Sequence, residues 1–463
     1  MAKATSRKYV LRRLVTVTLA LAALGVSTNL FAQSSSSDRE AALEARVAEL
    51  EKLVQQLMAE KQTPATGAAP AAGAAASTTA GAPAAKGPAP VQQVSILPNA
   101  AAGTTFYVTG YVKADALWTS TPDGEIADNA SGRDYYVPSQ TPVGGESEGT
   151  DFGFDVKQTR FIAGTVTPLD DGDSLKTHIE VDFYGSTLGT QNVTNTYAPV
   201  LRQAFFQTRH WLVGQAWSTF QDTAALPEAV DFIGPTDGTV FIRQAQVRYT
   251  TGGFSFAAEN PQTTITSYRN NTLTSISSDD NAFPDFIGRY TWQGDWGSVT
   301  LAGLVRQLKY ETTGANAIDT STWTAAGSVS GKVRTFGKDD IRWMLVGGNL
   351  GRYVALNFTN DAMLSLNDDL KPIDGWAGFV AYRHLWTDKL RSNLFYSAGT
   401  YDNDASLTGP NANQASESWS VNLFYSPIPK LDIGAEFRWA RRELEGGADG
   451  TLERLQLTSK YSF

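Results

Sequence analysis

No cysteine occurs in the 463 residues, which removes disulfide frameworks, thiolate nucleophiles and cysteine-based zinc sites together. Histidine is nearly as scarce: His178, His210 and His384 are the only three, too far apart in sequence to read as a metal cluster, so neither metal nor cofactor is expected. The GxSxG pattern of serine hydrolases is also missing, and with no Ser motif beside any histidine the chain is not expected to be an enzyme. After the first thirty residues no apolar run approaches the roughly 20 needed for a spanning helix, which excludes a helical membrane protein. An excess of positive charge is absent too: the formal net charge is −9, which speaks against nucleic acid as a partner. The length exceeds one ordinary domain of about 150 residues, unless one very large sheet organises it.

What is present begins with an address. Lys3, Arg7, Lys8, Arg12 and Arg13 precede a short apolar core from Leu14 to Val26, and Ala32 offers a small residue for cleavage. Residues 1–32 therefore read as a secretory signal peptide rather than an anchoring helix, with Leu30 a less favourable residue just before the cut. Removing these five basic side chains takes the charge from −9 to −14. In residues 38–61, Leu43, Val47, Leu50, Val54 and Leu57 recur in alternating steps of four and three. That heptad spacing keeps one seam on a helix and predicts a self-associating periplasmic coiled coil, with Leu53 widening the seam toward a trimer. A single amphipathic helix shares the pattern. Residues 62–103 are nearly all Ala, Pro, Gly, Thr and Ser, too poor in bulky apolar groups to fold, and read as a flexible tether.

From residue 104 to 463 the texture changes to short aromatic and β-branched segments alternating with period two. Leu175, Ile179, Val181 and Phe183 alternate with Lys176, His178, Glu180 and Asp182. Leu455, Leu457, Tyr461 and Phe463 alternate with Arg454, Gln456, Thr458 and Lys460. Such a strand has one greasy and one polar face, which suits a soluble sandwich or a membrane barrel equally. The connections decide. Tight turns near residues 169–173, 210, 251–253, 294–297, 336–340, 387–389 and 427–430 alternate with long polar stretches near 119–150, 185–200, 221–239, 260–285, 311–321, 351–371, 402–415 and 442–450. Seven turns and eight loops predict an all-β transmembrane barrel of about 16 antiparallel strands in the bacterial outer membrane, with both ends periplasmic. Aromatics at segment ends, such as Tyr290 with Trp292, suit the lipid interface.

If the greasy faces meet lipid, then Arg160, Arg202, Arg248, Arg289, Arg383, Arg438, Arg454 and Lys460 point into the lumen. A basic channel attracts anions and can hold carboxylates bidentately; the competing reading pairs these cations with inward Glu180, Asp182, Glu259 and Glu436, so that they brace the wall. The third long loop, Asp222 to Thr239, reads DTAALPEAVDFIGPTDGT, with Pro227 and Pro235 around Phe232 and Ile233. Its apolar pair predicts inward folding, with Glu228, Asp231 and Phe232 at a constriction and the two acids facing basic wall residues. The alternative is a lid over the mouth.

Several stretches resemble the DcaP family of outer-membrane porins: GQAWSTFQD from Gly214, LPEAVDF from Leu226, IRQAQVRYT from Ile242, AAENPQT from Ala257, GRYTWQGDWGSVTLAGLVRQL from Gly288, FVAYRHLWTDKLRSNLFYS from Phe379, LFYSPIPKLDIGAEF from Leu423, RRELEGG and the closing KYSF. The resemblance covers nearly all of the barrel. It implies a sixteen-stranded homotrimer with amino-terminal periplasmic coiled coils that passes small anionic solutes such as dicarboxylates. The family's substrate contacts are lumenal arginines, and Arg160, Arg289, Arg383 and Arg438 lie in segments that resemble it. The terminal Tyr-x-Phe ending at Phe463 resembles the signal read by the barrel-assembly machinery. The rival to passive diffusion is a structural or adhesion barrel with little conductance; an energised transporter would need an amino-terminal globular plug, where this sequence has a signal, a coil and a tether.

Overall fold

The structure is a computed structural model and describes residues 103–147, 149–185 and 194–463. The expected signal peptide, coiled coil and nearly all of the tether fall in residues 1–102, outside the described residues. Strand β1 (Thr105–Ser120) is followed by β2 (Thr150–Asp155), β3 (Arg160–Pro168), β4 (Ser174–Asp182), β5 (Val200–Thr208), β6 (Trp211–Trp217), β7 (Arg243–Thr251) and β8 (Phe254–Glu259). A hairpin of β9 (Thr263–Arg269) and β10 (Thr272–Ser278) precedes β11 (Asp285–Gly294), β12 (Gly297–Glu311), β13 (Asp319–Arg334) and β14 (Asp340–Asn349). Two three-residue strands, β15 (Ala362–Leu364) and β16 (Leu370–Pro372), lead to β17 (Asp374–Leu385) and β18 (Leu390–Tyr401). The short helix α1 (Ala405–Thr408), β19 (Asn413–Tyr425), β20 (Leu431–Leu444) and β21 (Asp449–Ser462) complete the chain.

Each wall strand pairs antiparallel with the next, and β1 pairs with β21 from Tyr111↔Ser462 to Ser120↔Glu453, which closes the sheet on itself. Segments β2 and β3 pair with successive halves of β1 and act as one interrupted strand, so the wall counts sixteen. Closure removes the unpaired edges that an open sheet would expose to lipid. Successive strands run antiparallel, so the turns gather at one end of the barrel and the loops at the other; the last connection at the loop end differs from expectation, because β20 and β21 extend through most of 442–450 and leave only residues 445–448 between them. At the turn between β11 and β12 only glycine fits: Gly297 has φ +134°, and a Cβ there would lie 1.9 Å from the Lys332 carbonyl oxygen. Strands β9, β10, β15 and β16 form a separate four-stranded sheet contributed by two of the long loops.

The two faces of the wall differ chemically. On β19, Trp419, Val421, Leu423 and Tyr425 are exposed, whereas Ser418, Ser420 and Asn422 between them are buried. On β17 and β18, Trp376, Val380, Leu394 and Tyr396 are likewise exposed on the outside. A water-soluble sandwich would turn these apolar rows toward a second sheet; here they ring the exterior, as a barrel in hydrocarbon requires. The core lies inside instead, where Ile287, Leu304, Met344, Val346 and Phe379 of the wall meet Phe220, Val240, Tyr353, Val354 and Phe358 of the loops. No helix among the described residues is long and apolar enough to cross a membrane.

Candidate pore

The third long loop, residues 218–242, enters the barrel and follows its inner wall strand after strand. Arg289 on β11 donates to the Gln221 carbonyl at 3.0 Å, Ser330 on β13 donates to Asp222 at 2.9 Å, and Arg342 on β14 donates to the Leu226 carbonyl. Further along, Val230 donates its N–H to Glu436 on β20 at 2.8 Å and accepts from Lys113 on β1 at 2.8 Å. Backbone groups of an irregular segment need partners once water is excluded, and here the wall's polar inward face supplies them. Close approach depends on Gly238, whose N–H reaches Ser397 Oγ at 2.7 Å, because a Cβ there would fall 2.0 Å from the Gly378 carbonyl oxygen.

At this loop's centre Glu228 forms a two-point ion pair with Arg391, at 2.7 and 2.5 Å. Asp231 accepts the Tyr136 N–H at 2.9 Å and lies 3.8 Å from Arg438. Phe232 packs among the rings of Tyr135, Tyr184 and Phe241, with the Arg202 guanidinium 5.1 Å over its face. Asp237 accepts from Tyr136 Oη at 2.8 Å and from Ser418 Oγ at 2.5 Å. Burial pushes the Asp237 carboxyl up despite these donors, and burial followed by the nearby Asp237 holds the Tyr136 phenol well above its ordinary value.

The sixth long loop, 350–373, is pinned from the same side by charge. Arg306 on β12 is fully buried and donates to Asp361 at 2.6 Å, while Arg352 and Tyr353 each reach Asp285 at 2.7 Å. Asp361 also takes the Thr264 N–H at 2.7 Å, which ties the loop to β9. Burial alone would raise the Asp361 carboxyl, but the Arg306 and Arg352 guanidiniums outweigh it and hold it below its ordinary value. A buried pair of this kind is worth little net, yet removing one partner costs roughly 3–5 kcal/mol, since a buried charge is left alone.

The inward cations expected from the sequence divide into two groups. Arg202, Arg438 and Arg454 point inward but are only 2, 1 and 2% exposed. Arg202 binds Glu180 and Asp182, both at 2.7 Å; Arg438 donates to the Gly234 carbonyl at 2.7 Å; Arg454 donates to the Gly132 carbonyl at 2.5 Å. Inward-folded loops cover these three: Arg438 and Arg454 hold loop backbone, and Arg202 braces the wall through the β4 carboxylates, as the competing reading has it. Arg160, Arg248, Arg289, Arg383 and Lys460 remain partly open. Arg160 lies 3.1 Å from Glu180 and Lys460 lies 3.3 Å from Asp432, whereas Arg248 and Arg289 form no ion pair among the described residues.

Two cations not singled out from sequence, Lys332 and Arg342, join Arg383 to complete the open group. Lys332, Arg342 and Arg383 surround the single carboxylate of Asp340 at 3.8, 2.7 and 2.6 Å. The Asp340 side chain is 1% exposed, against 34% for Lys332 and 25% for Arg383. Glu259 is similarly sunk, taking the Thr219 N–H at 2.6 Å. Along this arc of wall the carboxylates are covered and the cations are accessible. Lys332 and Arg342 share the inward phase of β13 and β14, which is the signal that would have found them.

The histidines stay apart. His178 stacks on Phe205 at 5.0 Å, His210 Nδ1 contacts the Thr250 carbonyl at 2.7 Å, and His384 Nδ1 lies 2.7 Å from Asp339 in a turn. Donors from Tyr382 first, then the Leu385 N–H and His384, draw the Asp339 carboxyl down to about 2. No group of three or more His, Asp or Glu side chains is placed to hold a metal ion among the described residues.

A closed sixteen-strand barrel with an apolar exterior and a polar, loop-lined interior is the fold of a porin-like outer-membrane channel. The chain belongs to the family described as DcaP outer membrane protein, which matches residues 143–463, more than half of its length. The crystal structure of the outer membrane channel DcaP of Acinetobacter baumannii is similar in fold, with TM-score 0.63 and 22% identity over 78% of this chain and 98% of that one. Weaker likenesses are OmpF of Salmonella typhi, with TM-score 0.49 and 13% identity over 78% of this chain and 98% of that one, and an anion-selective porin from Comamonas acidovorans, with TM-score 0.47 and 10% identity over 78% and 100%. No curated protein matches the chain.

Proposed function

We propose that the barrel is a passive channel for small anionic solutes, with dicarboxylates as the substrate class. The observation that carries this reading is the accessible arc of Lys332, Arg342 and Arg383 over the covered Asp340, continued by Arg248 and Arg289 without ion pairs. Accessible cations above buried carboxylates leave a positive field in the water path, and guanidinium forks suit carboxylates. Arg160, Arg248, Arg289, Arg383 and Lys460 contact the solute; Glu228, Asp231 and Phe232 belong to the loop that narrows the path. Arg202, Arg438 and Arg454 hold that loop and its neighbour in place. The coil in residues 38–61 makes the chain a homotrimer, with coil and tether in the periplasm. Phe463 is the handle for the barrel-assembly machinery.

The test is reconstitution into a planar bilayer, with reversal potential recorded across a salt gradient before and after adding succinate. Threefold current steps, anion preference and a current reduced by succinate are the expected result; cation preference would overturn the reading. The apolar core built by loops inside the barrel favours a second reading, a structural or adhesion barrel. Folded, heat-modifiable protein that conducts nothing would establish that reading instead.

A further inference from the structure

At the long-loop end, away from the cation arc, lies a cavity of about 230 Å³ between the β9–β10 hairpin, the sixth and seventh long loops and β20. Its polar lining is dominated by Asn357, Asn360, Asn403, Asn411 and Asn413, with Arg442 as the one charged side chain; none of the lining residues is Asp, Glu or Lys. The acid bonded to this group, Glu445, is engaged by Asn403 at 2.7 Å. Arg442 donates to Asn413 Oδ1 at 2.8 Å and to the Thr141 carbonyl at 2.9 Å, and forms no ion pair among the described residues.

Several polar groups here are not used by the fold. Thr359 Oγ1 is buried without a hydrogen-bond partner, a state that usually costs about 1–3 kcal/mol. The side chains of Asn411 and Ser139, both lining the cavity, have no hydrogen bond among the described residues. The segment that leads into the wall at Asn357 is also held in an unfavourable backbone form: Ala355, Leu356 and Asn357 have φ of +52°, +58° and +60° in succession. Left-handed residues other than glycine or asparagine are uncommon, and they gather where a surface is shaped for a ligand.

We propose that this cavity binds a single sugar ring carrying one carboxylate, a hexuronate. An asparagine amide offers both donor and acceptor, which matches neighbouring hydroxyls, each itself donor and acceptor. Arg442 pairs with the one carboxylate, and a second carboxylate would meet no cation. A divalent metal ion would find no carboxylate ligand in the lining. The volume lies below the roughly 300–1,000 Å³ of pockets that enclose drug-sized ligands, so one ring fits and a chain of rings does not.

The experiment is calorimetric titration of the full-length protein in detergent with D-glucuronate, D-glucose and succinate. Saturable glucuronate binding is expected, with glucose weaker by about tenfold or more for want of the charge-assisted bond. Arg442→Gln should bring glucuronate down to the level of glucose; Asn411→Ala, at an exposed position without bonds, should weaken both sugars and guards against a folding defect at Arg442. The proposal is overturned if glucuronate does not bind, if neither substitution alters its binding, or if succinate binds as well and is lost with Arg442→Gln. Glucuronate binding abolished by Arg383→Gln instead would place it in the channel and overturn the site.

Discussion

Two sets of inward cations share a charge and a strand phase yet meet different fates. Arg306, Arg438 and Arg454 lie under loops and are at most 2% exposed, each holding a carboxylate or a loop carbonyl. Arg383 and Lys332, on the same inward phase, retain a quarter to a third of their side-chain exposure over a shared, covered Asp340. Strand phase settles that a side chain points inward; only the path of the loops settles whether it meets water or protein. The first set should therefore govern stability and the second selectivity.

Arg306→Met should break this comparison hardest. It leaves Asp361 without its ion-pair partner in a buried site, at a cost of roughly 3–5 kcal/mol, and frees the sixth loop, while Asp285 keeps Arg352 and Tyr353. Protease nicking within 350–373 and a lowered thermal transition should follow, while Arg383→Gln leaves both unchanged. Gly238→Val comes next, because its side chain would collide with the Gly378 carbonyl 2.0 Å from the Cβ position. The third loop must leave the wall, and single-channel conductance should change markedly with the barrel still heat-modifiable.

A smaller effect is expected from pH. Because the Asp361 carboxyl is held below its ordinary 3.8, its pairing contributes fully above that value and is lost as pH falls through the lower, folded value. Proteolysis of the sixth loop by an acid protease should thus be flat down to the ordinary carboxylate range and rise below it; a rise beginning near neutrality would contradict the assignment. Smallest of all, Glu228→Gln removes one of two acids on Arg391, the other being Asp432 at 3.0 Å. Reversal potential should move slightly toward anions.

Much of the wall was legible from residues. The alternation of Leu455, Leu457 and Tyr461 with polar neighbours follows from strand geometry and reappears in the wall, as does the alternation of tight turns with longer loops, except at 442–450, where β20 and β21 pair through most of the expected loop. The covering of particular residues was not legible, because it depends on contacts between segments far apart, such as Val230 with Glu436 or Arg306 with Asp361. A local clue existed on β12, where inward Ala302, Leu304 and Leu308 are as apolar as outward Leu301 and Val305. A strand greasy on both faces signals protein on its inner side. The cavity beside Arg442 left no such mark, since its asparagines come from separate loops and read individually as turn residues.

The most direct test is the reversal potential of the double variant Arg342→Glu with Arg383→Glu, measured across the same salt gradient as the unmodified protein. If accessible cations set selectivity, the preference should move from anions toward cations in a barrel that remains heat-modifiable and conducting, even though Asp340 loses two of its partners. An unaltered reversal potential from a folded, conducting variant would contradict the account.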